Sequence, residues 1–265
     1  MIKAVFFDLD DTLLWDNQSI QESFDNTCKA AQEKYNLDPK QLEEAVRSAA
    51  RELYATYESY EFTKMIGINP FEGLWGDFLE GEHEGFRQLE KVAPTYRKDA
   101  WTQGLKALGI DDPAFGAKLA ETFRSERRNK PLVYDETYKV LDELKGNYQL
   151  LLLTNGSPDL QKTKLDGVPD LVPYFDHIVI SGDFGRGKPD PSLFNHALGL
   201  LELKPEEVVM VGDKLTTDIL GATRVGVHSV WINRENNERD DSIAIPDYEV
   251  NNLEEIHEIL NELNK

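Results

Sequence analysis

Carboxylates gather at the end of the first apolar segment of the chain. Ala4 to Phe7 form a short apolar run, which Asp8, Asp10 and Asp11 follow. Such a run is typical of a strand buried on both faces of a parallel sheet, although a helix is also compatible with so short a run. Because alternate strand residues point to the same side, Asp8 and Asp10 are expected to project together from the carboxyl end of the strand. Two like charges so close require a proton on one carboxyl group or a cation between them.

Three later apolar runs also end near residues that could do chemistry. These residues are Thr154 and Asn155 after the run 150–153, Lys188 after the run 177–180, and Asp213 after the run 208–211. If the runs are parallel strands, their carboxyl ends bring carboxylates, a hydroxyl, an amide and an ammonium into one crevice. Taken alone, each motif has a simpler interpretation, such as an acidic turn, a helix cap or a surface charge. Together they predict a site for a cation and a phosphate.

Composition and charge narrow the class of protein. With 40% hydrophobic and 29% charged residues over 265 positions, the chain fits one large globular domain or a domain with a smaller insert. A formal charge of −20 argues against a nucleic acid polymer as partner, because such binding relies on clustered Lys and Arg. The apolar runs are far too short to span a membrane, and no signal-peptide pattern precedes the first run, so we expect a cytoplasmic protein without a membrane partner.

The pattern becomes helical directly behind the acidic residues. From about residue 16 to residue 130, apolar residues recur at helical spacing; Ser19 with Glu22 predicts a capping box, and Asp38 before Pro39 predicts a second helix start. Strands and helices alternate afterwards. We therefore predict an α/β core with a Rossmann-like doubly wound parallel sheet, residues 1–15 and 131–265, and an inserted all-α cap, residues 16–130. A domain inserted there can close over a site and select the substrate.

These motifs, taken in order, resemble those of the haloacid dehalogenase superfamily. The matching segments are Asp8-Leu9-Asp10-Asp11-Thr12, Thr154-Asn155, Lys188-Pro189, and Gly212-Asp213 followed by Asp218. The resemblance covers nearly the whole chain, and the helical insert is similar to the helical cap type of this family. Lys214 departs from the pattern, since the family more often has a small polar residue after the fourth-motif aspartate.

The resemblance implies a magnesium-dependent phosphatase. In this family the residue matching Asp8 attacks phosphorus and forms an aspartyl-phosphate, which water then hydrolyses. The residue matching Asp10 protonates the leaving alkoxide and later deprotonates the water. The implied Mg²⁺ ligands are the Asp8 carboxylate, the Asp10 backbone carbonyl and the Asp213 carboxylate, all hard oxygen donors.

Four further roles follow from the same resemblance. Thr154 and Asn155 are expected to bind phosphoryl oxygens near a helix N-terminus. Lys188 is expected to neutralise charge on the nucleophile and the phosphate, and Asp218 to orient Lys188 or a bound water. Trp15 and Asp16 directly follow the catalytic loop, so they are candidates for contact with the leaving group.

Several alternatives remain at this stage. A dehalogenase is disfavoured because family dehalogenases lack a carboxylate at the position of Asp10. A mutase that transfers the phosphoryl group to a sugar hydroxyl would need cap residues that the pattern does not reveal, and a phospho-accepting signalling receiver would have its acceptor on a later strand of a shorter domain. The expected substrate is a small phosphorylated metabolite, with nucleoside monophosphates, acylneuraminate 9-phosphate and phosphoserine as candidates.

Overall fold

The computed structural model describes residues 1–129 and 131–265, so the predicted boundary at residue 130 lies outside the described residues. The chain divides into two compact units. An α/β unit contains Met1–Trp15, Val133–Asn155 and Val168–Lys265, and a helical unit contains Asp16–Leu132 and Gly156–Gly167. The segment Gly156–Gly167, which the sequence assigned to the α/β core, is therefore grouped with the helices of the insert. The function of the helical unit as a cap stays a prediction.

Six parallel strands form the sheet of the α/β unit. They are β1 Ala4–Phe7, β2 Gln149–Thr154, β3 His177–Ile180, β4 Val208–Gly212, β5 His228–Ile232 and β6 Tyr248–Val250. The strand order is β3-β2-β1-β4-β5-β6, and each neighbouring pair is parallel. The direction of the strand order reverses between β1 and β4, where open α/β sheets bind ligands. The predicted α/β class with a parallel sheet is confirmed.

Strand register brings the predicted site residues to one edge of this sheet. Phe7, the last residue of β1, pairs with Leu152 of β2 and Val211 of β4. The residues that follow these three strands therefore emerge side by side at their carboxyl ends. The central strands are fully buried because helices cover them, and this rigid support is what holds the site.

Helices of the α/β unit lie in the connections between strands or follow the last strand. They are α7 Thr137–Leu144, α9 Ser181–Phe184, α10 Pro191–Leu201, α11 Leu220–Val225 and α12 Ile256–Leu263, with a π-helical turn at Leu215–Ile219. Buried side chains of α10 and α11 pack on the face of the sheet that carries Phe6 and Met210. The alternation of strands and helices read from the sequence is thus present in the fold.

In the part of the chain that the structure describes, the helical unit contains six helices of the insert and one from a later segment. Its helices are α1 Asp16–Tyr35, α2 Pro39–Tyr54, α3 Tyr60–Ile66, α4 Pro70–Gly73, α5 Glu84–Ala107, α6 Pro113–Arg128 and α8 Pro158–Asp166. Phe24, Trp101 and Phe123 form an aromatic centre, with ring centroids 4.5 to 5.7 Å apart. The unit therefore has a hydrophobic core of its own.

Helix starts in this unit test the capping predictions. Asp38 caps α2 as predicted, because its carboxylate accepts hydrogen bonds from the backbone N–H groups of Lys40 and Gln41. The capping box at Ser19 and Glu22 is wrong, because α1 already begins at Asp16. The Ser19 hydroxyl instead accepts a hydrogen bond from Arg127, a long-range contact that local spacing does not reveal.

No helix within residues 1–129 and 131–265 combines the length and the apolar character that crossing a lipid bilayer requires.

Candidate active site

A buried ion cluster joins the ends of β1, β2 and β4. The Lys188 ammonium lies 2.6 Å from Oδ1 of Asp8 and 2.7 Å from Oδ1 of Asp218, and it donates to the Leu153 carbonyl at 2.6 Å. The side chains of Lys188 and Asp218 are each 1% exposed, so these contacts are shielded from water. Three of the predicted site residues therefore meet in one buried group.

The fourth-motif segment brings a third carboxylate to the cluster. Asp8, Asp213 and Asp218 each offer an oxygen, and these oxygens lie within 4.8 Å of one another. Asp218 is held by the Lys214 backbone N–H, which donates to Oδ2 at 3.0 Å. Gly212 is required by this close packing, since a Cβ there would approach the Asp218 side chain to 2.3 Å. Asp218 is therefore packed closely against the backbone on either side of Asp213.

Asn155 contacts the backbone of Lys188 with both ends of its amide. Its Nδ2 donates to the Lys188 carbonyl at 3.0 Å, and its Oδ1 accepts from the Lys188 N–H at 2.8 Å. This reciprocal pair fixes the segment that carries the buried ammonium. The expected phosphate-binding role of Asn155 stays untested, and the geometry favours a positioning role. Thr154, the last residue of β2, is 1% exposed at the same edge of the sheet.

The segment that carries Asp10, residues 8–14, is a tight loop, which we call the acidic loop. The N–H groups of Leu13 and Leu14 both donate to the Leu9 carbonyl, at 3.0 and 2.9 Å, and the Asp11 N–H donates to the Leu14 carbonyl at 2.7 Å. Asp11 has a φ of 60°, a left-handed conformation that is strained for any residue with a side chain. The loop turns the chain sharply, so Asp10 stays near the strand end rather than continuing away from it.

Electrostatics of the cluster confirm a surplus of buried acid. Burial raises the pKa of Asp8, and Asp218 adds to the rise while Lys188 opposes it. Burial also raises the pKa of Asp213 well above its usual value, with Asp8 and Asp218 acting in the same direction against Lys214. Burial alone would lower the pKa of Lys188, but the two adjacent carboxylates outweigh it and the pKa is raised. The Lys188 ammonium is therefore charged, yet insufficient to neutralise the acids around it.

The donor set fits a divalent cation. Hard divalent cations bind carboxylate oxygens, and Asp8 and Asp213 present such oxygens at adjacent strand ends. Asp213 Oδ1 is buried and accepts no hydrogen bond from the described residues. A buried carboxylate oxygen of this kind is stabilised by a bound cation, because otherwise its desolvation is uncompensated.

Sequence reasoning missed several residues that hold the site. The Trp231 indole N–H on β5 donates to the Asp213 carbonyl at 2.7 Å, and Arg234 donates to the Thr12 carbonyl at 3.0 Å. These contacts join distant parts of the chain and have no local motif. Arg186, two residues before Lys188, is 59% exposed and pairs with Asp190 at 3.4 Å, so it lies outside the buried cluster.

Comparisons with known proteins indicate the family of this chain. A family model described as haloacid dehalogenase-like hydrolase matches residues 2–226. A phosphoserine phosphatase of Thermus thermophilus is 34% identical over 258 residues, which is 96% of this chain and 98% of that protein. An N-acylneuraminate-9-phosphatase of Mus musculus is 29% identical over 262 residues, covering 98% and 94%. The magnesium-bound structure of the HAD-hydrolase YfnB from Bacillus subtilis shares the fold, with a TM-score of 0.66 and 23% identity over 98% and 99% of the two chains.

This chain belongs to the haloacid dehalogenase-like hydrolase family. The predicted family is thereby confirmed. The prediction of an enzyme is confirmed as well, since the relatives named above are phosphatases. The acidic cluster at the ends of β1, β2 and β4 lies at the carboxyl edge of the sheet, where open α/β sheets bind ligands.

Proposed function

We propose that this chain is a magnesium-dependent phosphomonoesterase that hydrolyses a small phosphorylated metabolite through an aspartyl-phosphate on Asp8. The observation that carries the proposal is the Lys188 ammonium, which lies 2.6 Å from Asp8 and 2.7 Å from Asp218 in a buried cluster that includes Asp213. This contact orients the nucleophile and supplies positive charge beside the position that a phosphoryl group would take.

In the first half-reaction, an Asp8 oxygen attacks phosphorus and the bond between phosphorus and the leaving oxygen breaks. Asp10 gives its proton to the departing alkoxide, so the alcohol leaves neutral. Mg²⁺ would be held by the Asp8 and Asp213 carboxylates and the Asp10 backbone carbonyl, and it would supply Lewis-acid polarisation of phosphoryl oxygens. Lys188 neutralises negative charge on the phosphoryl group during both half-reactions.

In the second half-reaction, water attacks the phosphorus of the aspartyl-phosphate. Asp10 accepts a proton from this water, the bond between Asp8 and phosphorus breaks, and inorganic phosphate leaves. Thr154 is the proposed ligand of a phosphoryl oxygen. Asn155 serves the reaction through the Lys188 backbone, which its amide holds at 2.8 and 3.0 Å.

The names of two relatives support a choice among substrates. Phosphoserine and acylneuraminate 9-phosphate are placed first, because relatives that align with nearly the whole chain are named for these two compounds. Nucleoside monophosphates are retained as a third class from the motif resemblance. The helical unit, acting as a cap, is proposed to select among these substrates.

A substrate panel tests the proposal. Phosphate release would be followed from the three candidates and from para-nitrophenyl phosphate, with Mg²⁺ or with EDTA. We expect continuous release with Mg²⁺, little with EDTA, and none from Asp8→Asn, whereas Asp166→Asn, at an exposed position, should behave as wild type. Full activity of Asp8→Asn would contradict the mechanism. A receiver would retain one phosphoryl group per chain, and a mutase would return a rearranged phosphate ester in place of inorganic phosphate.

A further inference from the structure

Arg234, which lies just after β5, reaches the backbone of the acidic loop. Its Nη2 donates to the Thr12 carbonyl at 3.0 Å, and its Nη1 donates to Glu136 Oε1 at 2.6 Å. Its guanidinium carbon lies 3.5 Å from the centre of the Tyr134 ring. One side chain therefore links three segments of the α/β unit that are far apart in sequence.

The charge of Arg234 is compensated within this small group. Its side chain is 16% exposed and that of Glu136 is 12% exposed, so the pair is largely removed from water. Burial acts to raise the pKa of Glu136, but the hydrogen bond and charge of Arg234 outweigh it and the pKa is lowered. The Tyr134 ring adds a cation–π contact. Such an arrangement holds the guanidinium in one orientation, and its second N–H group is thereby aimed at Thr12.

The residues around Thr12 need this support. Asp11 is strained at a φ of 60°, and Thr12 is fully buried. The adjacent Leu13 carbonyl accepts from the Tyr134 N–H at 3.3 Å and from the Thr137 hydroxyl at 3.0 Å. A strained turn persists only where its surroundings hold it, and here Arg234 and the segment 134–137 hold consecutive carbonyls of the loop.

Tyr134 extends the group toward the end of the loop. Its ring stacks on Trp15 with centroids 5.5 Å apart and planes inclined by 20°. Val133 also forms an antiparallel bridge with Leu14. The acidic loop is therefore held at its middle by Arg234 and at its end by the segment that Arg234 itself contacts.

We propose that Arg234 is a positioning residue for catalysis, which holds the acidic loop so that Asp8 and Asp10 keep their reacting geometry. The proposal rests on the proposed phosphatase function. Arg234 acts through the Thr12 carbonyl, two residues from Asp10, and takes no part in bond making. Loss of the contact lets the loop relax, and displacements of about 1 Å in a reacting group cost on the order of 100-fold in rate.

Kinetics of matched arginine variants test the proposal. Arg234→Ala should lower kcat for para-nitrophenyl phosphate by on the order of 100-fold with KM changed less than about threefold, since the phosphate-binding groups stay in place. Arg234→Lys should lose about tenfold, because an ammonium cannot make both fork-like contacts. The control is Arg239→Ala in the same segment; Arg239 is 38% exposed and pairs with Asp241. A folded Arg234→Ala enzyme with kcat within twofold of the Arg239→Ala enzyme would overturn the proposal.

Hydrogen exchange supplies a readout that does not depend on turnover. The Leu13 and Leu14 amides, which donate to the Leu9 carbonyl, should exchange at least about tenfold faster in Arg234→Ala than in Arg239→Ala. Unchanged exchange would refute the holding role. If Arg234→Ala fails to fold, kcat and hydrogen exchange of Arg234→Lys are measured instead. Unchanged kcat and unchanged exchange in Arg234→Lys would refute the proposed role of Arg234. If the wild-type protein releases no phosphate, the proposed function is refuted. Hydrogen exchange still tests whether Arg234 holds the acidic loop.

Discussion

Asp213 in the α/β unit and Asp77 in the helical unit are partly buried aspartates in opposite electrostatic surroundings. Asp77 accepts hydrogen bonds from three arginines, Arg97, Arg124 and Arg128, with Arg124 at 2.7 and 2.8 Å. Burial acts to raise the pKa of Asp77, but the arginines outweigh it and the pKa is lowered. Burial raises the pKa of Asp213 well above its usual value, and the neighbouring carboxylates add to the rise.

The difference separates a compensated charge from an uncompensated one. The negative charge of Asp77 is compensated by side chains of its own unit, so the group needs no ligand and its effect is on stability. The charge of Asp213 is opposed by Lys214 and is reinforced by neighbouring acids, so the proposed Mg²⁺ would be the group that stabilises it. The direction and the cause of the pKa shift therefore favour Asp213, and not Asp77, as a candidate for a functional role.

After Asp8 itself, the residue with the largest expected effect on activity is Lys188, whose ammonium lies in the acidic cluster. Lys188→Met should lower kcat/KM by on the order of 10³-fold, because charge stabilisation at the phosphoryl group and the orientation of Asp8 are both lost. Phosphate release measures it, with the exposed Lys204→Met as control. A variant with near wild-type turnover would remove Lys188 from the mechanism and weaken the contrast with Asp77.

Asp77 should show the reverse behaviour, a loss of stability. Asp77→Asn removes the negative charge and one of the two acceptor oxygens that three arginines share, and should lower the free energy of unfolding by about 1.5–3 kcal/mol. Urea unfolding measures this, and Asp241→Asn at an exposed ion pair should change it by less than about 0.5 kcal/mol. Equal stability of the two variants would show that the arginine cluster is not structural.

The pH dependence of that loss sharpens the comparison. The folded pKa of Asp77 lies below the ordinary value of 3.8, so the ionised group stabilises the fold above that pH, and its contribution is lost as pH falls through the folded pKa. The stability difference between wild type and Asp77→Asn should be constant from pH 7 to about pH 5 and shrink near pH 3. Unfolding at four pH values measures it. A difference that grows on acidification would contradict the sign.

Lys214 should have a smaller effect, on the binding of Mg²⁺ at Asp213. Its ammonium lies 3.8 Å from Asp213 Oδ2 and is 55% exposed, so it repels a divalent cation only through screened charge. Lys214→Ser should lower the half-saturating Mg²⁺ concentration by about 30-fold at most, since a unit-charge interaction near 4 Å in water is about 1 kcal/mol and Mg²⁺ carries two charges. Metal titration of activity measures it, with Lys204→Ser as control. A higher Mg²⁺ requirement would reverse the assigned role.

Cys28 should show almost no reactivity. Burial, with smaller effects from Glu43 and Asp25, raises the pKa of this thiol to about 12. At pH 8 the native protein should therefore react negligibly with a disulfide reagent, whereas unfolded protein should react with one thiol per chain. Thiol titration with and without denaturant measures both. Rapid reaction of the native chain would show that the core of the helical unit opens readily.

Much of the site could be predicted because its residues follow strand ends in short motifs. The apolar runs before Asp8, Thr154 and Asp213 are strands, and parallel pairing alone brings their ends together. Asn155 was predicted as a site residue, but its contact with the Lys188 backbone spans 33 residues and cannot be read from a dipeptide. The capping box at Ser19 failed because α1 begins at Asp16, and the Ser19 hydroxyl accepts a hydrogen bond from Arg127, 108 residues away.

The sequence by itself determined the family, the parallel α/β class and the group of acids and lysine at the strand ends, because these depend on local periodicity and short motifs. Only the tertiary structure decided which charges are compensated. The arginines on Asp77, the contact of Arg234 with Thr12 and the grouping of α8 with the helical unit all depend on contacts between distant segments. Such contacts are selected by packing and desolvation of the whole fold, which leave no periodic signal along the chain.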